Sequence, residues 1–432
     1  MSPMGRMAGI SAASIGVVYG YDLSNFAGAL RYLTDDFNLS THQQEMVTTA
    51  VVIGQIAGAM GGGVLANAIG RKTSMVLVAA AYVVFAVLGA LAVASLPMLV
   101  VVRFLLGLAV GVSVVVVPVF IAECVPARVR GAVLVGYQLA TVLGIIAGYV
   151  AAYLLADLHS WRWMLGLAAL PALLAVLLLL PIPETARWYL LKGTLSKTRG
   201  GALTDMLRRP YWRATVFVVG LGFFAHVTGV NTIVYYGPRL FAAIGFTGDF
   251  GLLVLPALAQ VAGLAAALVS LTLVDKLGRR PILLAGIATM IAADVLLIVV
   301  FASGSGAGTA LLGLAGVVVF AAGFSLGFGS LLGVYAGESL PGRLRSMGSS
   351  AMLTADLAGS MIVAAMFLSM LHSLGGAGAY TVFGALALGA FVFVYRFAPE
   401  TKGKQLEDIR HFWENAERPT GQGRAGRPGG AR

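Results

Sequence analysis

Charged side chains are scarce in this chain. Asp, Glu, Lys and Arg make up 11% of its 432 residues and 59% are hydrophobic, whereas a soluble domain uses about a quarter charged and roughly half apolar residues. No stretch of about 100 residues has a water-soluble composition, so large domains outside a membrane are excluded. Cys124 is the single cysteine, which rules out an internal disulfide framework and starves a zinc or thiol-nucleophile reading of parts. A metal-ligand cluster, a nucleophile paired with a base, and the GxxxxGK[ST] loop of ATP-driven transport are missing too. These gaps argue against an enzyme, imply no cofactor, and leave a gradient as the energy source.

What the chain has in quantity is apolar runs. A crossing needs about 20 largely apolar residues, and twelve segments meet that length: 8–30, 46–67, 74–95, 98–122, 132–156, 163–181, 214–236, 251–274, 281–303, 309–336, 347–372 and 377–397. The run after Arg6 has no clear cleavage site and is read as a retained first helix. With both termini cytoplasmic, outer connections hold only Arg31, Arg162 and Arg239, and Arg103 lies within a span; the other 25 of 29 Lys and Arg fall inside. That bias is what orients multi-span proteins. It accounts for the net charge of +11 without nucleic acid as a partner; the bilayer is the partner instead.

The chain also repeats itself. IGRK at 69–72 recurs as LGRR at 277–280, AECVPARVRG at 122–131 as GESLPGRLRS at 337–346, and PET at 183–185 at 399–401, with offsets of 208, 215 and 216. Three motifs in one order at nearly one spacing indicate parallel halves around a central site, as in many secondary transporters. The expected organisation is a six-helix bundle over 1–190, a short cytoplasmic linker over 191–212, a second six-helix bundle over 213–411, and a disordered tail over 412–432, rich in Gly, Arg and Pro.

The motifs at the inner helix ends have a physical reading of their own. Glu123 with Arg128 or Arg130, and Glu338 with Arg343 or Arg345, set carboxylates beside guanidiniums, where bidentate pairs form. Arg71, Lys72, Arg279 and Arg280 add cations, and Glu184 and Glu400 add anions, at matching places. Such pairs can latch two bundles shut on one face. Cations alone would do no more than set topology; the acids favour the latch, because topology rules give Asp and Glu little role. Acids within a span are costly and mark function: Asp22, Asp294 and Asp356, with Arg103 the only base. Asp22 and Arg103 fall at similar depth on antiparallel spans, where a pair is the cheapest arrangement. Asp294 is expected near a helix end or beside a polar neighbour and is given no role.

GYD at 20–22, RFLLGLAVG at 103–111, PVFIAECVPARVRG at 118–131, WRWMLG at 161–166, PIPETARW at 181–188, TGVNTIVYYGP at 228–238, VDKLGRRP at 274–281 and PETKGKQLE at 399–407 together resemble the sugar porter family of the major facilitator superfamily, over about Gly20 to Ile409. The resemblance implies an all-α integral membrane fold of twelve helices in two six-helix halves. It implies proton symport of a sugar or polyol by alternating access, with Asp22 and Arg103 as the proton-coupling pair, in a monomer in the cell membrane, as in a bacterial inner membrane. A proton-coupled carrier of another small organic solute and an uncoupled sugar facilitator are the alternatives.

For substrate, the resemblance points to Gln138, Asn231 and Tyr235, and departs from the family elsewhere. A glutamine pair is replaced by Ala225 and His226, a tryptophan by Gly333, an amide by Asp356, and an asparagine by Gly263. Asn67 and Ala68 stand where the family has an acid and a base, whereas Asp275 and Lys276 keep that pattern. The expected cytoplasmic gate therefore comprises Arg71, Lys72, Glu123, Arg130, Glu184, Asp275, Arg279, Arg280, Glu338, Arg345 and Glu400. Loss of amides and the indole weakens ordinary hexose recognition and widens the pocket, while His226 and Asp356 bring titratable groups able to bind a substrate or move protons.

Overall fold

The computed structural model describes residues 3–91, 95–125, 127–185, 188–189, 206–207, 211–304, 306–339, 344–400 and 402, without the side chains of 3–5, 127–132, 275, 307, 337–338 and 345–346. The expected tail and most of the expected linker lie outside these residues. Described segments are α-helical almost throughout: α1 Pro3–Phe37, α2 Thr41–Ile69, α3 Arg71–Leu91, α4 Leu96–Cys124, α5 Ala127–Leu154, α6 Trp161–Leu167, α7 Ala169–Leu179, α8 Trp212–Val227, α9 Asn231–Ile244, α10 Leu255–Leu277, α11 Arg279–Ala302, α12 Ala307–Phe324, α13 Ser330–Glu338 and α14 Arg345–Phe397.

Among the described residues, ten helical stretches are long and apolar enough to cross a membrane. Met347–Phe397, at 51 residues, is far longer than one bilayer requires, and it breaks at Gly375, whose φ of 70° leaves the helical region. It therefore makes two crossings. α1 falls outside the ten because Asp22, Ser24 and Asn25 interrupt its apolar length, yet it packs along α5 and supplies the remaining crossing. The sixth crossing joins α6 to α7, the seventh joins α8 to α9, and the tenth joins α12 to α13.

The packing follows the repeat. In the first part of the chain α2 lies against α4 and α1 against α5; in the second, α8 and α11 lie against α14 and α12 against α11. Small residues permit this approach in lipid, where helices gain from close contact rather than from water exclusion. A Cβ on Gly107 or Gly111 would stand 2.0 Å from a carbonyl oxygen of α2. Between the two parts, α1 meets α9, α5 meets α10, and α2 meets α14.

Two of the three repeat motifs, IGRK with LGRR and the two PET segments, share one structural task. The glycine ending α2, Gly70, and the one ending α10, Gly278, have φ of 104° and 99°, a conformation close to glycine-only. Each turn starts a new helix whose first N–H groups need acceptors. Glu184 accepts from the backbone N–H of Arg71, Lys72 and Thr73 at 2.9, 3.0 and 3.2 Å, and Glu400 from those of Arg279 and Arg280 at 3.1 Å each. A carboxylate here satisfies orphan donors and suits the positive end of the helix dipole.

Candidate functional site

Irregular backbone gathers at one place. α8 and α9 are separated by Gly229, with φ of 101°, and α9 bends at Tyr236, just before Pro238. A π-turn, Ser325–Gly329, joins α12 to α13. Such breaks survive in a membrane only where they are enclosed by protein or border a cavity. Here they border a cavity of about 150 Å³ between α1 and α5 on one side and α8, α9, α10, α12 and α14 on the other. A single water needs about 10–15 Å³ on this measure, so the cavity has room for a small molecule.

Five of the six expected substrate residues line it: Gln138, His226, Asn231, Tyr235 and Asp356. Asn231 donates through Nδ2 to Ser360 Oγ at 2.7 Å, and the Tyr235 hydroxyl is 3.2 Å from the same oxygen, so Ser360 fixes both. His226 Nδ1 is hydrogen-bonded to Asp356 Oδ1, and the imidazole stands edge-on to Phe324. Gly333 is not among the lining residues, and a Cβ there meets nothing within 4 Å; Gly329, one turn earlier in the π-turn, lines the cavity instead. Tyr19, Thr141, Gln260 and Ser360 also line it and were not anticipated. For Gln260 the signal was available: it is an amide in the midst of an apolar helix, three residues before Gly263.

The α1 face that reaches the cavity through Tyr19 and Leu23 also carries Asp22. Arg103 Nη1 lies 3.2 Å from both carboxylate oxygens of Asp22, with each side chain under 5% exposed. The guanidinium also covers the Phe26 ring at 3.8 Å, a cation–π contact. The acid and base on separate spans are thus brought together next to the cavity.

Asp294 departs from expectation. It is fully buried in α11 and, among the described residues, neither carboxylate oxygen has a hydrogen-bond partner. A position near an end or beside a polar partner is not what the fold provides; Gly384 of α14 packs against its Cβ.

The expected gate residues cluster at the end of the bundle bearing the α2–α3 and α10–α11 turns. Arg71 Nε is 3.3 Å from Glu123 Oε1, and Thr185 donates to Glu123 Oε2 at 2.6 Å. Arg280 Nη2 donates to the Tyr395 carbonyl at 2.6 Å. Among the described residues the contacts of Glu123, Glu184 and Glu400 stay within their own part of the chain, so these groups tie helices together inside each part rather than bridging the two. Lys72 takes part through its backbone N–H. The side chains of Arg130, Asp275, Glu338 and Arg345 lie outside the described residues.

Bridges between the two parts occur at the opposite end. Glu45 of α2 accepts from the backbone N–H and hydroxyl of Ser369 in α14 at 2.7 and 2.6 Å, and is 2% exposed. Arg31 of α1 pairs with Asp249, just before α10, at 2.8 Å. Deeper, the Tyr149 hydroxyl of α5 donates to the Ile233 carbonyl of α9 at 2.7 Å.

Comparison with known proteins agrees with this architecture. The chain matches the family described as "Sugar (and other) transporter" over residues 8–206 and 196–413. It is 30% identical over 427 residues to the galactose-proton symporter of Escherichia coli (strain K12), spanning 92% of each chain. A crystal structure of a D-xylose-proton symporter superposes with a TM-score of 0.81 at 25% identity, over 93% of this chain and 99% of that one. An inward open conformation of the xylose transporter from E. coli gives 0.80 at 25% identity, over 94% and 99%.

Proposed function

Because the chain belongs to the sugar (and other) transporter family, we propose that it is a proton symporter that carries a neutral sugar or polyol by alternating access. The observation that carries this reading is the buried Asp22–Arg103 pair beside the cavity. A titratable carboxylate within a span is what proton coupling requires, and an uncoupled facilitator has no need of it.

In the proposed cycle the two six-helix halves rock about the cavity, and Gln138, Gln260, Asn231 and Tyr235 offer hydrogen bonds to substrate hydroxyls. Protonation of Asp22 neutralises it, loosens Arg103, and biases closure around the substrate. The Lys- and Arg-rich end, with both termini, faces the cytoplasm. The bridges at the other end close the outer face, a reading supported by the likeness to an inward open transporter. The cavity is complete within one chain, which favours a monomer, and the bacterial relative favours the bacterial inner membrane.

A second reading, a proton-coupled carrier of a different small organic solute, is favoured by one observation: His226 and Asp356 replace neutral amides in the lining. Uptake into proteoliposomes separates the two. We expect the purified protein to accumulate at least one of D-galactose, L-arabinose, D-xylose and sorbitol when the outside is made acidic. Equilibration of all four at a rate indifferent to the gradient would contradict symport.

A further inference from the structure

The bonded atoms of the His226–Asp356 pair leave two others over. Nδ1 and Oδ1 face each other, so His226 Nε2 and Asp356 Oδ2 remain, and neither has a hydrogen bond within the chain among the described residues. Both side chains keep part of their surface open to the cavity, 23% and 12%, and both residues line it.

Two consequences follow from the chemistry of the pair. In lipid, an unbalanced charge is costly, whereas an imidazolium and a carboxylate in contact are neutral together. With one proton shared between them, the two groups carry no net charge. In that state Nε2 is a donor and Oδ2 an acceptor, side by side on the cavity wall, the same complement that a glutamine side chain presents but with ionic strength behind each bond. When the proton leaves, Nδ1–H still points at the carboxylate, Nε2 becomes an acceptor, and the wall gains a net negative charge.

From this we infer that the His226–Asp356 pair is a specificity-determining contact for two neighbouring hydroxyls of a neutral substrate, and that it binds them more tightly while the pair holds its proton. This rests on the sugar or polyol reading above. The proton concerned is distinct from the one on Asp22, so substrate affinity falls with rising pH even when the coupling site cannot titrate.

Other titratable and charged groups on the helices around the pair are Tyr19 and Asp22 of α1, Arg103 of α4, Tyr137 of α5 and Tyr235 of α9. α10 and α12 contribute only Gln260, Ala267, Ala321 and Phe324 to the wall. The tyrosines ionise well above the range of interest, which leaves Asp22 as the competing site, and its replacement isolates the pair.

The test is equilibrium binding to the purified full-length protein of D-galactose, L-arabinose, D-xylose, sorbitol and D-galactosamine, between about pH 6 and about pH 9. It is run on the parent, Asp22→Asn, His226→Gln and Asp356→Asn, each checked for a retained melting transition. We expect the neutral ligand that binds best to lose about tenfold in affinity towards the alkaline end. Asp22→Asn should keep that loss, and His226→Gln and Asp356→Asn should each flatten it. An unchanged pH profile in folded His226→Gln and Asp356→Asn overturns the inference while leaving the sugar reading intact. Tighter binding of D-galactosamine than of D-galactose, with affinity rising with pH, overturns it in favour of a cation at Asp356. Failure of all four neutral ligands to bind the folded parent defeats the sugar reading, and this inference with it.

Discussion

Arg103 is the residue on which stability and the proposed function meet. Its guanidinium is balanced by Asp22 and Phe26 where both members of the ion pair are buried, so removing it strands a buried carboxylate. Arg103→Leu is expected to cost about 3–5 kcal/mol, read as a large fall in melting temperature. Adding Asp22→Asn should restore much of the loss, since the stranded charge goes with it. A double variant no more stable than Arg103→Leu would show that the pair is not the source. Asp294 is the opposite case: with no partner among the described residues, Asp294→Asn should leave the melting temperature unchanged or raise it, and a fall of several degrees would reveal an unseen partner. The first pair could be placed together from spacing on antiparallel spans. The isolation of Asp294 could not, because it depends on which face of α11 meets α14, and periodicity is mute in a helix that is apolar all round.

Helix starts at the basic turns explain why the repeat is visible at all. IGRK and LGRR need glycine for a turn with φ near 100°, and PET needs glutamate to receive the freed N–H groups. A Cβ on Gly278 would also stand 2.6 Å from Glu400 Oε2. Gly278→Ala is therefore expected to cost about 1–3 kcal/mol, and Glu400→Ala about 1–2 kcal/mol as the helix loses its acceptor, both measurable by thermal denaturation in detergent. If either variant melts with the parent, the capping account is wrong for that half. The twelve crossings were legible from apolar run length, but the π-turn that brings Gly329 rather than Gly333 to the cavity was not. An inserted residue in a helix shifts its facing, and no composition signal marks it.

The internal repeat was readable in the sequence, whereas the conformational state was not, since the same residues must serve every state of the proposed cycle. In this state the described contacts that join the halves lie at the end away from the basic turns, through Glu45 with Ser369 and Arg31 with Asp249. Arg31→Ala with Glu45→Ala should free that end. Spin labels on cysteines at Asp35 and Thr247, with Cys124→Ser, should then report a longer and broader distance distribution, and an unaltered one would remove these bonds from the gate. Underneath the whole account lies proton coupling through Asp22, and proteoliposomes carrying Asp22→Asn decide it. With a substrate that the parent accumulates, the variant should lose both accumulation under an inward proton gradient and the external alkalinisation that accompanies uptake, while still exchanging labelled for unlabelled substrate. Accumulation and alkalinisation equal to the parent's would contradict it.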